Sequence, residues 1–159
     1  MPKSIYDLSE KEILALAITL EENDGRIYGE FAERMRPNYP KTAAVLDTMR
    51  EEESGHRHRL TETYRQKFGE HIPLIRRQDV KGFVERRPEW LARPLGIQNV
   101  RKQAEVMELE TRRFYERAIS EHIQIGIATV DLLRQEGSRL HSRKLRAFDE
   151  PPFRCAGGA

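Results

Sequence analysis

The sequence predicts an all-α protein, a four-helix bundle with one long crossover between its second and third helices. Charged residues make up 34% of the 159 residues, yet the chain has only 10 glycines and 8 prolines, which favours long helices with solvated faces. Four long segments have the apolar spacing of helices. The connection over residues 70–96 is long enough to run the length of a bundle.

Capping residues, prolines and glycines mark the helix ends. Ser9 and Glu12 have the spacing of a capping box at the start of the first helix. Pro37 and Pro40 separate the first helix from the second, and Gly69 is typical of a helix C-terminus. A short helical piece is also predicted within the crossover, near residues 79–85. The four predicted helices span residues 9–36, 41–68, 97–121 and 125–147.

The composition limits the class of protein. We expect one domain over residues 1–148 and a loose tail over residues 149–159. The single cysteine, Cys155, excludes an internal disulfide scaffold and fits a reducing compartment, so we expect a cytoplasmic protein. No apolar run approaches the ~20 residues that span a membrane, and no apolar signal segment marks export. A net charge of +2 gives little reason to expect nucleic-acid binding.

The first and third helices share a pattern on the face that should be buried. In each helix a glutamate precedes a tyrosine by two helical turns, so that both side chains share that face. The pairs are Glu21 with Tyr28 and Glu108 with Tyr115. Each glutamate interrupts a stripe of apolar or small residues, where an uncompensated carboxylate would take up a proton or a cation. An arginine at the edge of the stripe explains one such glutamate, but two at the same offset favour a cation site.

The second helix carries a Glu-x-x-His motif. Glu53 and His56 lie three residues apart within an apolar stripe, so they face the same side. Di-iron bundles carry this motif on two of their helices. The motif alone is weak, because charged helices contain chance matches, but its place in the stripe strengthens it. His58 lies on another side of the helix and is interpreted as a surface residue.

The fourth helix gives a less clear pattern. Glu136 stands where a fourth inward carboxylate belongs, but the residue three positions later is Arg139 rather than a histidine. His141 should point elsewhere. A salt bridge from Glu136 to Arg139 or Arg143 is as good an interpretation as a metal ligand. The predicted stripe of this helix contains Ile125, Ala128, Leu132 and Glu136.

Charge and ligand type together point to iron. Four inward carboxylates would balance two ferrous ions, and oxygen-rich ligation with one or two imidazoles suits iron, with manganese as the alternative. Tyr28 and Tyr115 could donate hydrogen bonds to ligating carboxylates. Glu105 is a further candidate ligand, whose alternative is a salt bridge with Arg101 or Lys102. The four carboxylates are those of Glu21, Glu53, Glu108 and Glu136.

Several stretches of the chain resemble known proteins. The two Glu–Tyr helices and the Glu-Glu-Glu-Ser-Gly-His run at residues 51–56 resemble rubrerythrin and ferritin-like di-iron proteins. The closer resemblance is to the ferritin-like domain of the membrane-bound ferritin A family, the erythrin–vacuolar iron transporter proteins. This resemblance extends over roughly residues 8–119. The stretches that carry it are residues 12–18, 22–28, 64–70, 73–83 and 90–96.

The resemblance implies a ferritin-like bundle that holds a di-iron centre. Carried over residue by residue, the ligands are Glu21, Glu53, His56 and Glu108, with Glu136 matching less well. The family implies iron export and peroxide tolerance, and our first hypothesis is that the di-iron centre oxidises Fe(II) with O2 or H2O2. It also implies a homodimer at the cytoplasmic face of the inner membrane, joined to a membrane transporter domain. The chain departs from this pattern at Arg139, and we expect it to lack the membrane domain and any Cys-x-x-Cys electron donor.

A second hypothesis is a non-catalytic interaction module with a degraded metal site, a dimeric bundle that docks on a partner or a membrane surface. Basic residues crowd the crossover around two aromatic residues, and such a patch could contact anionic lipid or nucleic acid. A solvated, salt-bridged connection is the simpler interpretation. The residues of this patch are Arg76, Arg77, Arg86, Arg87 and Arg93, with Phe83 and Trp90.

Overall fold

The computed structural model describes residues 1–83, 96–121 and 126–138. The predicted all-α class is confirmed, since the described residues contain no β-strand beyond one isolated bridge. None of the described helices combines the length and the apolar character needed to cross a bilayer. The four α-helices are α1 (Glu10–Met35), α2 (Pro40–Phe68), α3 (Ile97–Glu121) and α4 (Ile127–Ser138).

Local chemistry explains where α1 and α2 begin and end. The Ser9 hydroxyl accepts a hydrogen bond from the Glu12 amide at 3.2 Å, and the Glu12 carboxylate accepts one from the Ser9 amide at 2.9 Å. This is the predicted capping box, and it satisfies amides that would otherwise lack partners. Helix α2 begins at Pro40, because proline at a first position removes only an amide that has no helical partner. It ends before Gly69, whose φ of 88° favours glycine.

The core consists of two apolar layers with a polar layer between them. Along each of α1, α2 and α3, the residues of the polar layer lie between those of the two apolar layers. One layer contains Ile13, Leu16, Leu20, Leu60, Tyr64, Phe114, Ala118 and Leu133. The other contains Ile27, Phe31, Met35, Leu46, Met49, Val100, Ala104 and Met107. The glutamates predicted to interrupt the apolar stripes therefore lie at mid-height in the bundle.

The start of the crossover is tied to the N-terminal segment. The Lys3 amide donates to the Asp79 carbonyl and the Lys81 amide donates to the Lys3 carbonyl, each at 2.8 Å. The described residues of the helical piece predicted near residues 79–85 are not helical beyond Asp79; a 3-10 turn, Arg77–Asp79, lies just before them instead. Residues 84 and 85 lie outside the described part of the chain.

Helix α4 buries a different face from the one predicted. Thr129, Leu133 and Glu136 are buried, and Leu132 is half-buried against the core, whereas Ala128 is exposed. The predicted stripe is therefore wrong at Ala128, and its first residue, Ile125, lies outside the described residues. A polar contact of Thr129 explains which face of α4 is buried. The Lys67 ammonium donates to the Thr129 hydroxyl at 2.8 Å, which draws that residue inward. The rest of the predicted helix, residues 139–147, and the predicted tail lie outside the described residues.

Candidate metal site

Three predicted ligands meet in the polar layer. Helix α1 contributes Glu21, and α2 contributes Glu53 and His56 from successive turns of one face. The Nδ1 atom of His56 lies 3.4 Å from Oε2 of Glu21 and 3.2 Å from Oε2 of Glu53. All three residues are at most 5% exposed. One ligand atom from each lies within 4.8 Å of the others, so the three form a cluster that could hold a metal ion.

A glycine on α1 makes room for this cluster. A Cβ atom placed on Gly25 would lie 3.4 Å from the Cβ of Glu53 and 3.8 Å from the Arg50 carbonyl oxygen. Because Gly25 has no side chain, α2 approaches α1 closely at the level of Glu53. A side chain larger than a single Cβ would therefore have no room at this position beside Glu53.

Each tyrosine of the repeated pattern bonds to the glutamate of the other helix. The Tyr28 hydroxyl donates to Oε1 of Glu108, and the Tyr115 hydroxyl donates to Oε1 of Glu21. Burial, and then the neighbouring carboxylates, raise the pKa of both phenols well above the usual value of 10.0, so they remain protonated donors. Two reciprocal hydrogen bonds thus join α1 to α3 across the polar layer.

The two carboxylates of the cluster differ in their affinity for a proton. Burial, followed by the adjacent Glu21, raises the pKa of Glu53 far above its ordinary range. Burial also pushes the pKa of Glu21 upward, but its interactions with Glu53, His56 and Tyr115 outweigh burial and the net pKa is lowered. Two like charges in a dry interior are unfavourable, so burial and the neighbouring Glu21 both favour the protonated form of Glu53.

Glu136 is held by an arginine of α2. Its side chain is completely buried and accepts two hydrogen bonds from Arg59, from Nε at 2.8 Å and from Nη2 at 3.0 Å. Its Oε2 also lies 3.3 Å from Nε2 of His56. The salt-bridge partners that the sequence suggested for Glu136, Arg139 and Arg143, lie outside the described residues, as does His141.

The two α3 carboxylates differ in their surroundings. Glu108 is half-buried and accepts the hydrogen bond of Tyr28 in the polar layer. Glu105 is exposed and accepts a hydrogen bond from Nε of Arg101 at 3.3 Å. The structure therefore does not bring Glu105 into the cluster, and the salt bridge with Arg101 that the sequence left open is present.

Two residues of the polar layer were missed from the sequence. Asp24 is 3% exposed and accepts a hydrogen bond from the Thr111 hydroxyl on α3 at 2.9 Å. Arg59 is the partner of Glu136. Each lies three residues after a predicted ligand, Asp24 after Glu21 and Arg59 after His56, so helical spacing alone could have identified both.

The donor set fits a metal such as iron. Oε2 of Glu21 is buried and has no hydrogen-bond partner among the described residues, which is costly unless a cation binds it. Carboxylates with one imidazole suit iron or manganese, whereas structural zinc sites favour thiolates or more imidazoles. The cluster thus offers a cation an unused ligand atom in a position from which water is excluded.

The predicted basic patch is only partly described. Arg77 pairs with Glu110 of α3, lies over the Phe83 ring at 5.0 Å and is mostly buried. Arg76 is exposed, and its Nε lies 3.9 Å from the Asp79 carboxylate. For these two arginines the salt-bridged interpretation fits. The other members, Arg86, Arg87, Arg93 and Trp90, lie outside the described residues.

Comparison with known proteins adds three findings. A segment of 45 residues, 28% of this chain, is 73% identical to AMP nucleosidase of Escherichia coli strain K12 and of Escherichia coli O157:H7. That segment spans only 9% of the length of these enzymes, and no solved structure matches the chain. The rubrerythrin family model, by contrast, matches residues 12–148, which include the whole polar layer and all four helices except the first two residues of α1. The chain therefore belongs to the rubrerythrin family.

Proposed function

We propose that this chain binds Fe(II) in its polar layer and oxidises it with O2 or H2O2, as a di-iron carboxylate protein. The observation that carries the proposal is the buried Glu21–Glu53–His56 cluster, with its carboxylate oxygen that lacks a hydrogen-bond partner. Manganese is the alternative metal for the same ligands. Two ions in one layer would use Glu108 and Glu136 in addition to the three clustered residues.

The residues of the layer have separate tasks in this proposal. Bound ferrous iron would supply electrons, two of which convert one H2O2 and two protons into two water molecules. Glu21, Glu53 and Nδ1 of His56 would hold the ion, and a proton on Glu53 would have to leave for that carboxylate to bind it. Tyr28 and Tyr115 hold Glu108 and Glu21 by their hydroxyl groups. The apolar layers on either side limit the access of water.

The biological setting is a further part of the proposal. Within the rubrerythrin family, we place the chain nearest to membrane-bound ferritin A, by its sequence resemblance. We propose that it works in the cytoplasm as a homodimer and passes iron to a membrane transporter domain or partner. Such a role would limit free iron and confer tolerance of peroxide.

An anaerobic titration with ferrous iron, followed by air, tests the function. We expect about two irons per chain at saturation, and ferric absorption in the near ultraviolet after exposure to air. Glu53→Ala should abolish tight uptake. Glu51→Ala removes the same charge from an exposed position on the same helix and should leave uptake unchanged. Absence of uptake, or equal uptake by Glu53→Ala, would overturn the proposal.

One observation favours a second candidate, a non-catalytic helical module with a degraded metal site. Glu136 is held by Arg59 instead of being available for a metal ion. If this candidate is correct, the protein will bind no ferrous iron, and Glu53→Ala will match the wild type in every metal titration. The experiment described above therefore separates the two functions.

A further inference from the structure

The Arg59–Glu136 pair places a fixed cation beside the candidate metal site. Arg59 lies on α2 and reaches α4 with two hydrogen bonds, the bidentate geometry in which guanidinium binds carboxylate most strongly. The Arg59 side chain is 37% exposed and the Glu136 side chain is completely buried. The guanidinium therefore enters the polar layer from the solvent side and compensates the charge of Glu136 without any metal.

The orientation of His56 separates Glu136 from the cluster. Nδ1 of His56 faces Glu21 and Glu53, whereas Nε2 faces Glu136 at 3.3 Å. The two ring nitrogens point in diverging directions. A nitrogen that donates a hydrogen bond carries the ring proton, so the other nitrogen is unprotonated and can bind a metal. A metal ion bound to Nδ1 would thus use Glu21, Glu53 and His56, while Oε2 of Glu136 lies 3.3 Å from Nε2 on the far side of the same ring.

We propose that Arg59 competes with a second metal ion for Glu136, so that the site takes up divalent metal in two unequal steps. This inference rests on the proposed function. The first ion binds Glu21, Glu53 and Nδ1 of His56 and leaves the Arg59–Glu136 pair intact. The second ion needs the Glu136 carboxylate, which must first release the guanidinium.

The physical reason is competition for one buried carboxylate. The second ion can bind Glu136 only after the two charge-assisted hydrogen bonds from Arg59 are broken, and the cost of breaking them weakens that step. Release of Glu136 also removes the carboxylate that faces Nε2 of His56. Both effects weaken the second step and leave the first almost unchanged.

Titration of the metal-free full-length chain with Co(II) tests the inference, followed by calorimetry and by the visible absorption of the bound ion. The wild type should bind one ion tightly and a second at least about tenfold more weakly. In Arg59→Met the second dissociation constant should fall by at least about tenfold, and the first should change by less than about threefold. Arg57→Met is the matched control, because Arg57 is an exposed arginine on the same helix that pairs with Glu22 at 3.5 Å.

A double variant covers the case in which Arg59→Met fails to fold because it leaves Glu136 buried without a counter-charge. Arg59→Met/Glu136→Gln removes both charges and should bind the first ion as the wild type does, with no second ion. Two equally tight ions in the wild type would overturn the inference. Retention of the second ion by the double variant, or an unchanged second constant in Arg59→Met, would overturn it as well.

The same titration distinguishes failure of this inference from failure of the proposed function on which it rests. If the wild type binds no Co(II), or Glu53→Ala binds it equally well, the proposed function fails and the inference fails with it. If the first ion binds through Glu53 but the two steps are equal, only the role of Arg59 is wrong.

Discussion

The hydroxyl of Tyr115 on α3 donates a hydrogen bond to Glu21 on α1, a residue 94 positions earlier in the chain. Tyr28 and Glu108 form the reciprocal bond between the same two helices. Each bond joins a buried phenol to a carboxylate in the polar layer, so the two bonds stabilise the bundle and fix the carboxylate oxygens at once. Mutations at these positions should therefore affect both stability and metal binding.

Tyr115→Phe removes the donor to Glu21 and keeps the ring. We expect the free energy of unfolding to fall by about 1–2 kcal/mol, because a buried carboxylate loses a hydrogen bond, and Co(II) affinity to fall about tenfold. Urea denaturation and Co(II) titration measure the two effects. Tyr64→Phe is the control, since the Tyr64 hydroxyl donates to the His71 carbonyl at 2.8 Å. It should lower stability without changing metal affinity; equal losses of affinity in both variants would contradict the role of Tyr115.

Glu53→Gln should stabilise the metal-free protein while preventing metal binding. The pKa of Glu53 is raised in the folded state, so folding near neutral pH must add a proton to it, at a cost that grows as pH rises above the unfolded value of 4.5. Glutamine mimics the protonated acid and avoids this cost. In EDTA the variant should melt at a higher temperature than the wild type, but Co(II) should raise its melting temperature little. A lower melting temperature in EDTA would contradict the prediction.

Gly25 tests how closely the helices must approach at the site. Gly25→Ala adds one Cβ at 3.4 Å from the Glu53 Cβ, an ordinary contact, and should raise stability by about 0.5–1 kcal/mol through helix propensity. Gly25→Leu has no room and should destabilise by about 1–3 kcal/mol and weaken metal binding. Thermal unfolding and Co(II) titration of both variants measure this difference. Equal behaviour of the two variants would show that the interhelical space is not tightly filled.

Glu10 should make stability depend on pH in the acid range. Burial raises its pKa, but bonds from Lys67 at 2.6 Å and from Thr129 outweigh burial and the net pKa is lowered. A lowered pKa gives stability that is present above 4.5 and is lost as pH falls through the folded-state value. Glu10→Gln should therefore cost about 1 kcal/mol at neutral pH and reduce the loss of stability on acidification.

Urea denaturation at several pH values measures this effect of Glu10. The control is Glu116→Gln, which alters an exposed carboxylate bonded to Arg112 on the same helix at 2.8 Å. An exposed pair of this kind contributes little, so its free energy of unfolding should change by less than about 0.5 kcal/mol at neutral pH. A Glu10→Gln variant with the same acid dependence as the wild type would contradict the assignment.

Local signals in the sequence were sufficient for the helices. The predicted third helix coincides with α3, and the capping box at Ser9 places the start of α1 within one residue. Such signals depend on neighbours within one turn, so the amino-acid sequence displays them directly. The 3-10 turn at Arg77–Asp79 was missed because it depends on distant contacts, with Lys3 and with Glu110 of α3.

The part of the candidate site that depends on spacing within one helix was predictable from the sequence. Spacing along each helix identified Glu21, Glu53 and His56 as sharing the inward face, and these are the residues that cluster. Spacing does not give the register between helices, so the partner of Glu136 was sought on α4 and not on α2, where Arg59 lies. For the same reason the sequence did not reveal that each tyrosine bonds to the glutamate of the opposite helix.

The cluster of Glu21, Glu53 and His56 belongs entirely to the α1–α2 hairpin, whereas Tyr115 and Glu108 come from beyond the crossover. Contacts close in sequence form early in folding, because they close short loops, and distant contacts form later. When refolding is followed by stopped flow in the presence of Co(II), we therefore expect the absorption of the bound ion to develop before Tyr115 becomes buried. The chain would then bind its metal ion before α3 and α4 have packed, and the bound ion would serve as a template for the assembly of these two helices.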